Sequence, residues 1–453
     1  MTNTTSHNDL VANVAELFPS VRRMLEDLTR IRSVSAEQYP AEEVRRAAVA
    51  TAALLAKAGM QDVRLLEIEG AHPSVFGEIP APAGAPTVLL YAHYDVQPPG
   101  LTAEWVSEPF EPTERDGRLY GRGVCDDKAG IAVHLGAVMA HGGRPPVGVK
   151  ILVEGEEEIG SPNLTAFLDA YREQLRADAI VIADSSNLKT GAPSLTTSVR
   201  GLVDCTIEVR TLQSGIHSGM FGGPVPDALS ALVRLLASLQ DGAGNVAVPG
   251  LVAYEVDPLD LTEDELRETA GMMEGVELVG SGNLTSRLWT RPAISVLAID
   301  APPVGEEINQ LAASARAVIS LRLAPGEDPE RARAALERHL VANVPWGARL
   351  TIGNWGLGEA FRMNTTGAAY DAYREAFRIA WGRDAADIGI GGSIPIVGDL
   401  SERYPDAAIL LTGVGDHLSR EHGPDESVDL RELQRGILAE SIAFRLLANC
   451  EGA

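Results

Sequence analysis

Lysine is almost missing from this 453-residue sequence: it stands only at Lys57, Lys128, Lys150 and Lys189, so arginine carries nearly all the positive charge. Base is outweighed by acid, 38 Lys and Arg against 63 Asp and Glu, for a formal net charge of −25. A surface of that average sign repels phosphate backbones and anionic lipid headgroups, which argues against nucleic acid or a membrane as partner. Cysteine is also scarce. Cys125, Cys205 and Cys450 are widely separated and odd in number, which speaks against a disulfide framework and for a reducing compartment. The opening MTNTTSHNDL has neither a basic nor an apolar signal region, and no apolar run approaches a membrane span; the expected location is the cytoplasm. What remains is ordinary for a globular protein, 45% hydrophobic and 22% charged, in a chain long enough for more than one folding unit.

Helical periodicity marks 10–31 and 41–58, the second ending at Gly59. Strands are expected at 63–68, 74–79, 87–94, 147–153 and 179–183, with helices at 129–140 and 163–174 between them. That alternation predicts an α/β layer sandwich. From about 194 the order becomes strand 202–210, helix 226–239, strands 293–298 and 315–323, helix 328–344 and strand 349–354. This is βαββαβ, the split βαβ or ferredoxin-like α+β arrangement, interrupted by a polar, Gly-rich insertion at 241–291. Helix 366–381 and strand 408–411 resume the first style. The expected domains are therefore 1–193 with 362–453, and an inserted 194–361.

The strand TVLLYAHYD ends in His93 and Asp95, which alternation puts on one face at the carboxyl end, where open α/β sheets collect ligands. Alone, such a pair reads as a surface histidine beside a solvated aspartate. Other candidates accumulate, however. GRGVCDDKAG places Asp126 and Asp127 in a loop entering a helix, and one of them is an expected N-cap. VKILVEGEEEIGS runs from a strand into Glu154, Glu156, Glu157 and Glu158, and AIVIADSS ends at Asp184. Acids crowded at one cleft need a cation or a proton to offset them. In DHLSREHGPDE, His422 is preferred over His417, because Pro424 fixes its loop and Glu426 could orient its ring. In GIHSGMFGG, His217 has no apolar face to cover. Arg322 ends the strand AVISLRL, free either to pair with an acid or to grip a carboxylate, and Gly391, Gly392 and Ser393 form a turn whose amides could hold an anion.

Together, HxD, GRGxxD, EGxEExGS, the strand-terminal Asp, HSGxFGG and HGPxE resemble the M20 family of metallopeptidases, in its carnosinase-like dipeptidase branch, over residues from about 10 to 445. The resemblance implies a zinc-peptidase-like α/β catalytic domain carrying the inserted α+β dimerisation or lid domain. It implies one metal on His93, Asp126 and Asp184 and a second on Asp126, Glu158 and His422, with Glu157 as general base and Asp95 supporting His93. His217 would reach a partner subunit's active site, and Arg322 with Gly392 and Ser393 would hold the substrate carboxylate. It also implies a cis peptide after Asp126. The expected cofactors are two divalent ions per chain, zinc first, with manganese or cobalt as alternatives. The expected reaction is hydrolysis of dipeptides or related short peptides with a free C-terminal carboxylate by a homodimer joined through the inserted domain. The alternative is an N-acyl-amino-acid amidohydrolase of the same fold.

Overall fold

The helix Asn8–Thr29 turns Leu10, Val14, Val21, Met24, Leu25 and Leu28 inward along one stripe, and Ala41–Ala58 does the same with Val44, Ala47, Ala48, Thr51 and Leu55. The second helix stops at Gly59, whose φ of 99° suits a residue without a Cβ. These helices open a computed structural model that describes residues 7–391 and 395–450. The described chain divides into two compact units, one of 7–197, 363–388 and 395–450, the other of 198–362 and 389–391.

The first unit is built on a mixed sheet with strands in the order Gln61–Leu66, Ser74–Ile79, Gly148–Glu154, Thr87–His93, Ala179–Ile182, Ala408–Leu411 and Ser194–Val199. The central four run parallel. Parallel strands need crossovers that cover the sheet, so they read as continuous apolar runs, as Val88–Ala92 and Ala179–Ile182 do. The crossover helix Lys128–Ala140 is buried on every side, only Met139 escaping full cover. It packs against Asn8–Thr29 and against a C-terminal helix, Leu430–Leu447. At its start Asp127 is the N-cap, accepting from the Gly130 N–H, and the Asp126–Asp127 peptide is cis. Lys128, fully buried, donates to the carbonyls of Leu28 and Ile31 at 3.0 and 2.9 Å; burial pulls its ammonium down to about 7.

Two of the departures from the sequence reading are in helices of the first unit. The helix expected over 163–174 breaks at Tyr171 into Leu164–Ala170 and Arg172–Leu175. The helix Leu430–Leu447 has no simple amphipathic stripe, because two acids sit on its buried side. Glu432 accepts from Trp381 Nε1 at 2.8 Å, and Glu440 lies 2.9 Å from His134 Nδ1.

In the second unit the four strands Ala293–Ile299, Ser314–Leu323, Gly201–Arg210 and Arg349–Gly358 stand in that order, all antiparallel. Val203, Cys205, Ile207 and Val209 stand directly opposite Leu321, Ile319, Ala317 and Ala315 to form one apolar face, covered by the helices Ala228–Ala237 and Pro329–Asn343. This is the ferredoxin-like order. The edge strand leaves Val296, Leu297 and Ile299 exposed. Residues 241–291 contribute two short helices, Glu263–Thr269 and Leu284–Trp289.

Gly136 marks a close approach of the helices Lys128–Ala140 and Leu430–Leu447: a Cβ there would stand 2.9 Å from Ile437 Cγ2. Gly136→Val is expected to destabilise by about 1–3 kcal/mol through overpacking. A lowered urea midpoint checks it, and an unchanged midpoint denies the close approach.

Candidate metal centre

The parallel strands of the first unit deliver their carboxyl ends to one edge of the sheet, and polar side chains just beyond those ends converge. His93, the last residue of its strand, is completely buried. Its Nε2 lies 3.0 Å from Asp126 Oδ1, and its Nδ1 is 3.1 Å from the main-chain oxygen of Asp95 and 3.4 Å from Asp95 Oδ1. Asp126 Oδ2 lies 2.9 Å from His422 Nε2, which is 3.2 Å from Glu158 Oε2. His93, Asp126 and Asp184 thus form one group of donor atoms, and Asp126, Glu158 and His422 a second, each drawn within 4.8 Å. Asp126 faces both groups, one oxygen to each. Imidazole nitrogens and carboxylate oxygens without a thiolate are a donor set for borderline-to-hard divalent ions, so these residues fit two such ions sharing Asp126.

Without a cation the electrostatics are severe. Burial pushes the Asp184 carboxyl up to about 7, with Asp126 and Glu158 adding to the effect. Burial also raises Asp126, but His422 and His93 outweigh it and hold that carboxyl well below the usual range. The hydrogen bonds to Asp126 and Glu158 raise His422 to about 11. Glu157 belongs to neither group, and its carboxylate accepts no hydrogen bond among the described residues. Its half-buried carboxyl is raised to about 9, first by burial and then by Asp184, Asp126 and Glu158.

The four glutamates after the strand Gly148–Glu154 separate by role. Glu154 accepts from Tyr91 Oη at 2.7 Å, and Glu156 from the His72 N–H at 2.7 Å and Asn163 Nδ2 at 3.0 Å, so both are occupied in structure. A single helical turn, Glu157–Ile159, then presents the other two. Asp95 Oδ2 accepts from Ser35 Oγ at 2.7 Å and from the Glu158 N–H at 3.1 Å, so its side chain steadies that turn as well as the region of His93.

Glu426 does not orient the His422 ring. Completely buried, it accepts the N–H groups of Gly123, Cys125 and Asp126 at 2.9, 2.9 and 3.1 Å and pairs with Arg122 Nη1 at 2.6 Å. Arg122 Nη2 donates to the main-chain oxygens of His422 and Gly423 at 3.0 and 3.2 Å. The Glu426 carboxylate is thus taken up by the amides of the Asp126 loop and by Arg122, while His422 Nε2 lies against Asp126 and Glu158. His417 stays outside both donor groups, with Nδ1 buried and without a hydrogen bond.

The remaining candidates lie in the second unit or outside the described residues. His217 is exposed, its Nδ1 accepting from the Gly219 N–H at 3.0 Å. Arg322, half-buried, alternates with Leu321 and Leu323 and so faces away from the helices; among the described residues it makes no ion pair. Gly392 and Ser393 lie outside the described residues. Sequence reasoning missed Gln97, whose N–H and Nε2 reach Glu158 Oε1 and Oε2, each at 3.0 Å. It also missed Glu421, although that acid immediately precedes His422.

Residues 89–441 match the peptidase family M20/M25/M40. A cysteinylglycine-S-conjugate dipeptidase of Corynebacterium striatum is 34% identical over 438 residues, covering 94% of this chain and 95% of its own. A Beta-Ala-His dipeptidase of Rattus norvegicus is 28% identical, covering 79% and 76% respectively. Among solved structures, the di-peptidase Dug1p of Saccharomyces cerevisiae superposes with a TM-score of 0.80 at 22% identity, covering 98% of both chains. Human carnosine dipeptidase 1 gives 0.80 at 24%, covering 98% and 99%.

Because Glu426 gathers the amides around Asp126, Glu426→Gln is expected to weaken divalent-metal retention by roughly 10- to 100-fold. Equilibrium metal titration checks this, and unaltered affinity would deny Glu426 that role.

Proposed function

The chain belongs to peptidase family M20/M25/M40, and we infer from it and from the metal centre a metallo-dipeptidase, hydrolysing dipeptides or related short peptides with a free C-terminal carboxylate. The observation that carries this reading is the pair of donor groups joined by Asp126, with the unoccupied carboxyl of Glu157 beside them. His93 and Asp184 on one side and Glu158 and His422 on the other are the proposed ligands, with Asp126 shared. Two divalent ions per chain are proposed, zinc foremost. Bound there, they supply polarisation of the scissile carbonyl and acidification of the attacking water.

The chain's own residues supply the rest. Glu157 takes the proton from the attacking water as the new C–O bond forms. It returns that proton to the leaving amine as the C–N bond breaks. Asp95 holds His93 in position. Arg322, on the open face of its sheet and unpaired among the described residues, is the proposed partner of the substrate carboxylate. We assign catalysis to the first unit and dimerisation to the second, where the exposed apolar edge at Val296, Leu297 and Ile299 is open to isologous pairing. The partner subunit's His217 would complete the oxyanion site. Three free cysteines, two of them buried, support a reducing, cytoplasmic location.

Glu157→Gln keeps the shape and loses the proton acceptor, so turnover should fall about 10²- to 10⁴-fold with metal content intact. Dipeptide hydrolysis and elemental analysis measure both, and near-normal turnover rejects the role. Asp126→Ala should instead release both ions together with activity; two ions held at unchanged affinity would refute the bridge. Mixing inactive Glu157→Gln chains with inactive His217→Ala chains should restore activity, since a hybrid dimer has one site with both native residues. Hybrid dimers that form and stay inactive would refute the shared site.

A further inference from the structure

Glu421 has no part in the reaction just outlined and belongs to neither donor group, yet its carboxylate is held. Oε1 accepts from Ser186 Oγ at 2.7 Å and from Cys125 Sγ at 3.6 Å. Gly415 makes the room: a Cβ there would stand 2.4 Å from Glu421 Oε1, 2.4 Å from Ser186 Oγ and 3.1 Å from Cys125 Sγ. The carboxylate therefore occupies space that any side chain at 415 would claim. A glutamate in an exposed loop ordinarily samples many rotamers in water. This one is fixed by two donors on a single oxygen, and Oε2 accepts no hydrogen bond among the described residues.

The holder is assembled from neighbours of the proposed ligands. Cys125 precedes Asp126, Ser186 follows Asp184 by two residues, and Glu421 precedes His422. The free oxygen thus sits where three ligand-bearing loops meet, and its charge acts on both Asp126 and Asp184. In a dipeptide the scissile carbonyl belongs to the N-terminal residue, so its α-ammonium lies two bonds from the carbon under attack. An α-amine, with a pKa of about 8, is cationic at neutral pH. It must be drawn to within a few ångströms of two metal cations, and a carboxylate outside the ligand set can offset that repulsion.

We propose that Glu421 Oε2 receives the α-ammonium of the substrate's N-terminal residue and so selects free dipeptides over N-acyl amino acids. This rests on the dipeptidase reading. It assigns to one residue the discrimination between that reading and its amidohydrolase alternative. An N-acyl amino acid brings no donor to Oε2 and leaves that oxygen unpaired against the substrate.

The test uses glycylglycine and acetylglycine, which differ by the ammonium alone, titrated calorimetrically into the metal-loaded full chain carrying Glu157→Gln to arrest turnover. Glycylglycine is expected to bind about 10- to 100-fold more tightly, the range of a charge-assisted hydrogen bond. Adding Glu421→Gln should reduce that preference to within about 3-fold, leaving acetylglycine affinity and both ions unchanged. Gly415→Ala should do the same by displacing the carboxylate while keeping its charge. A preference that survives both substitutions overturns the proposal, and so does loss of an ion from Glu421→Gln, which would make Glu421 a ligand. Because the preference is read from binding, a native enzyme that cleaves no dipeptide would reject the reaction while the ammonium site still stood or fell on the titration.

Discussion

Carboxylates brought together away from water repel one another and lose hydration at the same time, and the architecture of the first unit follows from tolerating both. Asp126, Glu157, Glu158 and Asp184 converge at one sheet edge, with His93 and His422 as their imidazole partners among the described residues. Burial lifts Asp184 to about 7 and Glu157 to about 9. The two imidazoles are raised as well, His422 to about 11 by its carboxylate neighbours. Upward shifts of acids and imidazoles alike are what a local excess of negative charge produces. Divalent ions at the two groups would relieve the repulsion that flexible side chains would otherwise escape by swinging into solvent.

Escape is prevented by rigid supports. Asp126, the proposed bridge, rides on a loop that turns the amides of Gly123, Cys125 and Asp126 toward Glu426, and Glu426 is itself neutralised by Arg122 rather than left as a lone buried charge. Arg122 extends the same network to the backbone of His422, so ligands about three hundred residues apart in sequence are tied through a single guanidinium. On the other side of the loop, Lys128 ties the helix after Asp127 to the end of the first helix through two carbonyls. A lysine chain buried in this way is tolerated because its ammonium is hydrogen-bonded, and because burial makes the charge easy to give up.

Much of this was legible in the sequence because the strands carry it. Thr87–His93, Ala179–Ile182 and Ala408–Leu411 are apolar runs with polar residues at or just beyond their carboxyl ends, and a parallel sheet sends such ends to one edge. Spacing could not separate Glu154 and Glu156 from Glu157 and Glu158. Their partners, Tyr91, His72 and Asn163, come from elsewhere, and only folding brings them in. The helix Leu430–Leu447 escaped for a related reason: Glu432 and Glu440 look like surface residues until Trp381 and His134 are seen to receive them. Glu426 was singled out correctly and given the wrong partner, because sequence proximity favours His422 while geometry favours the amides of a loop read three hundred residues earlier. Glu421 drew no reading of its own from the sequence. Nothing in its own segment signals Gly415, Ser186 and Cys125.

Chain order gives the centre a dependence on the whole first unit. His93, Asp126, Glu158 and Asp184 are in place after the first 184 residues, but one donor group stays incomplete until His422. That residue follows the strand Ala408–Leu411, which joins the sheet beside Ala179–Ile182 only after the chain has passed through the entire second unit. The strand Ser427–Asp429 pairs with Arg118–Tyr120, and Asp429 then caps the helix Leu430–Leu447 that packs on Lys128–Ala140. Closing the second group therefore requires the long-range contacts that finish the core, and any ion bound there stabilises the closed chain over its open precursors by its full affinity for the completed site. On the proposed ligand set, metal binding and completion of the first unit are in this way one equilibrium, to which His422 contributes from the far end of the chain.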